Sequence, residues 1–180
     1  AEVFVGEGLL PTLPWEPVVP LNTNADTDTE GDYAQAVAYA NGTAVAVWGT
    51  TNNITGLSGT DGDIVFSRST DGGASWTPPA IIDPVAVGDM VFESRPDVAT
   101  DGNGRWVVAW TGNDVVRLTR SIDDGMTWQP AISLPFGIQQ NGPALAADGM
   151  GNWVVVADIQ ESVAPFEFDI RYSRSTDHGA

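Results

Sequence analysis

The sequence predicts an all-β chain: β-propeller blades of four antiparallel strands, about three blades in 180 residues. Three observations predict it. One pattern, S-x-D-x-G-x-[ST]-W, recurs at near-constant spacing. Each copy stands at the same place in a unit of about fifty residues that reads strand, turn, strand, loop, strand, turn, short strand. No stretch shows the 3.6-residue apolar period of an amphipathic helix.

The pattern occurs as Ser69-Thr70-Asp71-Gly72-Gly73-Ala74-Ser75-Trp76 and as Ser121-Ile122-Asp123-Asp124-Gly125-Met126-Thr127-Trp128. It occurs in part as Ser175-Thr176-Asp177-His178-Gly179-Ala180. Ser69 and Ser121 are 52 positions apart, and Ser121 and Ser175 are 54 apart. A strand-like run precedes each copy: Ile64 to Ser69, Val116 to Ser121, and Ile170 to Ser175. Further upstream, two runs meet at Asn41-Gly42, at Asp101-Gly102 and at Asp148-Gly149. Such dipeptides suit the positive φ of tight hairpin turns. Short runs from Pro79 to Ile82 and from Pro130 to Leu134 supply a fourth strand. The first strand of each unit is small and apolar (Ala36, Val37, Ala38; Val98, Ala99; Ala144, Ala146), as a crowded axis requires. The chain divides into an N-terminal segment 1–21 with a fourth-strand-like piece, then units 22–82, 83–134 and 135–180. The last unit is incomplete, and together they form one propeller domain or part of one.

The boxes resemble the Asp-box, or bacterial neuraminidase repeat, of sialidases and related extracellular propellers, and the resemblance runs from Leu21 onward. It implies that the box joins the third and fourth strands on the face away from an active site. Ser69, Asp71, Gly73 and Trp76, then Ser121, Asp123, Gly125 and Trp128, then Ser175, Asp177 and Gly179, are on that reading structural. The aspartate is expected to accept hydrogen bonds from N–H groups of its own turn. The glycine is expected to hold a conformation that other residues resist. His178 occupies a variable box position, and no catalytic role is expected of it.

Charge bounds the partners. The formal net charge is −17, with 24 acids against seven arginines and no lysine. Such a chain repels nucleic acid and anionic membranes and attracts cations. No stretch reaches the length of a membrane-spanning helix. With no cysteine there is no disulfide framework. These features, with the resemblance, point to a secreted or cell-surface protein.

The long loops, among them 158–166, are expected on the face opposite the boxes, where binding is normally found. Within the loop 24–32, Asp26, Asp28, Glu30 and Asp32 alternate around Gly31, and Asp61 and Asp63 lie on a neighbouring loop of the same face. Oxygen ligands so spaced suit Ca²⁺. A solvated acidic turn is the competing reading.

The resemblance also sets what a sialidase would need: three arginines on the substrate carboxylate, a tyrosine nucleophile with a glutamate partner, and an aspartate acid/base. Ser94-Arg95-Pro96 is the nearest match to the family's R-I-P motif, without its middle residue. Arg95 and Tyr33 are the candidates for that chemistry, and no triad assembles within the chain. The expected function is a non-catalytic binding or structural module that takes a glycan or protein through its long loops. The alternative is part of a sialidase-like exo-glycosidase completed by further blades or a partner chain. Trp15-Glu16-Pro17-Val18-Val19-Pro20-Leu21 resembles the segments that begin at Trp76 and Trp128. Closure is therefore expected either from further blades of a longer protein or from a second copy that makes a six-bladed ring.

Overall fold

The computed structural model describes residues 15–22, 25–26, 31–51, 61–85, 89–163 and 166–179. All regular elements among them are strands, and no helix is long and apolar enough to cross a membrane. The first sheet is β1 (Asp32–Ala40), β2 (Thr43–Thr50), β3 (Asp63–Ser69) and β4 (Ala80–Ile81), paired in that order. The second repeats it with β5 (Glu93–Thr100), β6 (Trp106–Gly112), β7 (Val115–Ser121) and β8 (Ile132–Ser133). The third has β9 (Ile138–Ala147), β10 (Trp153–Val163) and β11 (Phe166–Ser175). All neighbours are antiparallel. The three sheets form a propeller-like row that is not closed.

Alternation along the strands decides what each sheet buries. Val45, Val47 and Ile64 of the first sheet meet Trp106, Val108 and Trp110 of the second. Ala109 and Val116 of the second, on its other face, meet Val155, Ala157 and Ile159 of the third. The remaining face of the first sheet carries Ala46, Trp48 and Val65. The second sheet thus has one face toward the first and one toward the third. β2 and β6 are buried along their whole length. Such near-continuous burial explains their run of Val, Ala and Trp.

The box turns form as a shared local network. Ser69 Oγ donates to Asp71 Oδ1 (2.8 Å) and accepts from the N–H of Gly73 (2.9 Å). Asp71 Oδ1 accepts from the N–H of Ser75 (2.9 Å). Ser121, Asp123, Gly125 and Thr127 repeat this at 2.7, 3.0 and 2.9 Å. Ser175, Asp177 and Gly179 repeat its first half at 2.6 and 3.0 Å. The serine hydroxyl, not the aspartate alone, holds the turn. Gly73, Gly125 and Gly179 have φ of 96°, 76° and 79°, the left-handed region that glycine enters without penalty.

Two expectations change. The fourth strands shrink to two paired residues, 80–81 and 132–133. The expected long loop 158–166 is largely strand, because Asp158, Ile159 and Gln160 pair with Ile170, Asp169 and Phe168. Along β11, Phe168, Ile170 and Tyr172 supply the period-2 pattern that the acidic residues around them obscure.

Candidate functional site: the face of the inner-strand bulges

The first strand of each sheet breaks register at the same level. In β1 the shift lies between Tyr33 and Ala36, and in β5 between Ser94 and Asp97. In β9 it falls opposite Val156 and Asp158. The residue that opens each bulge is left-handed: Ala34 at φ 53°, Arg95 at 54° and Gly142 at 52°. Pro96 and Pro143 follow two of them, where the missing N–H costs no ladder bond. The three bulges, 34–36, 95–97 and 142–144, together line one open concavity of about 410 Å³. Arg95 is exposed there, and among the described residues it makes no ion pair. Asp97 is spent on the scaffold: its carboxylate accepts from the N–H of Leu145 on β9 at 2.6 Å and from that of Val98 at 2.9 Å. Chemically, the concavity offers one guanidinium over a rigid rim of backbone, a site for an anionic group.

Tyr33 stands beside the concavity but is anchored. Its hydroxyl donates to the Glu93 carbonyl at 3.1 Å. Its ring stacks on Phe92 at 6.0 Å between centroids. It also fills the space that a Cβ on Gly49 or Gly62 would occupy. Burial pushes its phenol up to about 12, helped by the charges of Asp63 and Glu93. A phenol held so firmly protonated is a poor nucleophile without a base to take its proton.

Behind Tyr33, at the junction of the first two sheets, lies a buried polar cluster. Glu93 is 1% exposed. One of its carboxylate oxygens accepts from the N–H of Ile64 at 3.4 Å. Arg117 reaches Glu93 at 3.6 Å and Asp83 at 3.9 Å. Burial pushes the Glu93 carboxyl up to about 7, opposed by the Trp110 indole and the Arg117 guanidinium. Asp63 is pushed up to about 6 by burial, then by Asp61 and Asp89.

In the sequence, no glutamate partner for Tyr33 is evident. The fold brings Asp63 and Glu93 within electrostatic reach of it, 30 and 60 positions away in the chain. No local signal marks Glu93, because its role comes from burial across a sheet junction.

Of the expected cation ligands, Asp28 and Glu30 lie outside the described residues. Asp26 is exposed, and exposed Asp32 accepts from the Asn22 amide at 2.8 Å. Asp63 is buried and has moved into the Tyr33 cluster. Among the described residues, no three acids or histidines group closely enough to hold a metal ion. Asp124 was also missed. It sits at the variable box position and accepts from Thr43 (2.7 Å), Arg68 (3.0 Å) and Trp106 (3.2 Å), tying the first two sheets together.

No protein-family model matches the chain, and no curated protein matches it. Solved structures do. A Hadza microbial sialidase matches with a TM-score of 0.57 and 22% identity over 82% of this chain and 36% of its own. A family 117 glycoside hydrolase from the marine bacterium Zobellia galactanivorans matches at 0.57 and 14%, over 87% and 55%. A GH43 endo-arabinanase from Bacillus licheniformis matches at 0.53 and 17%, over 82% and 52%. The chain thus spans about a third to a half of the length of these structures. The likeness is one of fold: propeller-like antiparallel sheets of a kind found in glycoside hydrolases.

Proposed function

We propose that this chain is a secreted or cell-surface propeller segment that binds a carboxylate-bearing glycan over the inner-strand bulges, without catalysis of its own. The observation that carries the reading is the convergence of three equivalent bulges on one concavity with an exposed Arg95 in it that makes no ion pair among the described residues. The solved structures support it by fold, since they include proteins named as glycoside hydrolases. Only one arginine stands at the concavity among the described residues. Tyr33 is locked, and Glu93 is sealed from solvent. Binding without turnover fits that set.

Isothermal titration with sialyllactose and with lactose tests it. Heat with the acidic sugar only, lost in Arg95→Ala, is the expected result. Equal binding of both sugars, or of neither, sinks the reading. A cation in the loop 24–32 would draw on Asp28 and Glu30 as well as Asp26 and Asp32, and titration of Ca²⁺ into chelated protein reads it.

The second reading is a share in a sialidase-like active site completed by other blades. What favours it is that Tyr33 lies within electrostatic reach of Asp63, whose carboxyl burial pushes up to about 6. Hydrolysis of a fluorogenic sialoside, abolished by Asp63→Asn, would decide for it.

A further inference from the structure

Asparagine followed by glycine is a pair at which a chain readily modifies itself. The asparagine amide is labile, and the glycine nitrogen carries no side chain to block its approach to it. The sequence has three such pairs: Asn41-Gly42, Asn103-Gly104 and Asn141-Gly142. The first two lie in the hairpin turns that join β1 to β2 and β5 to β6, and the third lies within β9 at its bulge. The fold treats the three differently.

The two turn asparagines are clasps between sheets. Asn41 Nδ2 donates to the Gly102 carbonyl in the hairpin of the second sheet at 2.5 Å. Asn103 Nδ2 donates to the Gly149 carbonyl in the hairpin of the third sheet at 3.1 Å, and to its own neighbour's Asp101 carbonyl at 3.1 Å. Turning either side chain toward the glycine that follows it would break these bonds. Asn141 is placed the other way round. Its Oδ1 accepts from the N–H of Gly142 at 3.1 Å. Among the described residues, no hydrogen bond holds its amide nitrogen. The bond sets the glycine nitrogen beside the side-chain carbonyl and polarises that carbonyl. Gly142 is left-handed at φ 52°, and a Cβ on it would stand 3.0 Å from Asp158 Oδ1, so the position favours the one residue that leaves its nitrogen open.

We propose that Asn141 is a site of self-modification by deamidation, while Asn41 and Asn103 are protected by their clasps. The Gly142 nitrogen gives its proton to solvent hydroxide and attacks Asn141 Cγ. The N–Cγ bond forms and the Cγ–Nδ2 bond breaks. Ammonia leaves with a proton taken from water, which restores the hydroxide. A second water opens the resulting succinimide at either carbonyl and leaves aspartate or isoaspartate at 141. Nothing is oxidised or reduced. The new carboxylate stands across the strand pair from Asp158, and like charges so placed weaken a ladder. Gly142 lines the concavity that holds Arg95. The modification therefore adds negative charge at that rim, and it weakens ligand binding there if the concavity takes an anion, a consequence that rests on the function proposed above.

Peptide mapping by mass spectrometry tests this on the full 180-residue chain held at mildly alkaline pH, folded and in urea. In urea the three pairs should deamidate at similar rates. In the folded chain Asn41 and Asn103 should slow roughly tenfold or more, since each must first break its clasp. Asn141 should keep its unfolded rate. Asn141→Gln, whose longer side chain closes a ring far less readily, should remove the mass gain at that position. A folded chain in which Asn141 slows as much as the other two overturns the proposal, and so does a gain that persists at 141 in Asn141→Gln. Titration of sialyllactose into Asn141→Asp should give weaker binding than the unmodified chain. A sugar that fails to bind the unmodified chain counts against the anion site alone, since the peptide map needs no ligand.

Discussion

At the scale of single residues, the box serine and the buried acids make opposite kinds of contribution. Ser121 Oγ satisfies the N–H of Gly125 inside a buried turn. Ser121→Ala leaves that donor and Asp123 short of a partner, at a cost of about 1–2 kcal/mol. A fall of a few degrees in Tm is the expected reading. Glu93 and Asp63 hold their protons more tightly folded than unfolded, up to about 7 and about 6. Their contribution to stability is full below about pH 4 and is lost as pH rises through 6 and 7. Asp71 works the other way. Hydrogen bonds from Ser75 and Ser69 hold it down at about 2, so its contribution is present above pH 4 and fades toward pH 2. The melting temperature should therefore peak between about pH 4 and 5 and decline toward pH 8. Glu93→Gln should flatten the decline, which for this residue is on the order of 2–3 kcal/mol. A profile that rises steadily from pH 5 to 8 would contradict the buried-acid assignment.

At the scale of elements, identical repeat positions do not have identical consequences. Gly73 and Gly125 occupy the same box position, both with positive φ. A Cβ on Gly73 would meet nothing closer than Trp76 at 3.9 Å, whereas one on Gly125 would stand 2.8 Å from Val45 of the first sheet. Gly73→Ala should cost about 1–2 kcal/mol for the backbone alone. Gly125→Ala should cost a further 1–3 kcal/mol from overpacking. Chemical denaturation of the two variants measures the difference directly. The box itself was legible in the sequence because its bonds join residues at most four apart. The length of β10 and β11 was not, because their pairing runs through Asp158, Asp169 and other acids that read as loop. The inner-strand bulges were illegible for a similar reason. Ala34, Arg95 and Gly142 share no residue type, and their common backbone conformation is set by pairing with β2, β6 and β10.

At the scale of the whole molecule, the two outer faces and the net charge of −17 pull against each other. Apolar surface on the third sheet and the exposed Trp15 segment favour association. Two chains of such charge repel over distances that salt screens. Self-association through these apolar surfaces should therefore strengthen as sodium chloride increases from tens to hundreds of millimolar. Sedimentation across that range reads the change, and a fall in affinity would point to a contact made by ion pairs instead.

By itself the sequence determined the strands, the hairpin turns and the box turns, because each is closed by hydrogen bonds between near neighbours with the right side chains. Only the tertiary structure decided that three bulges converge around Arg95, that Tyr33 is locked against Glu93, and that Asp124 rivets two sheets. Those arrangements join residues tens of positions apart, and their chemistry depends on burial between sheets, which no local pattern records.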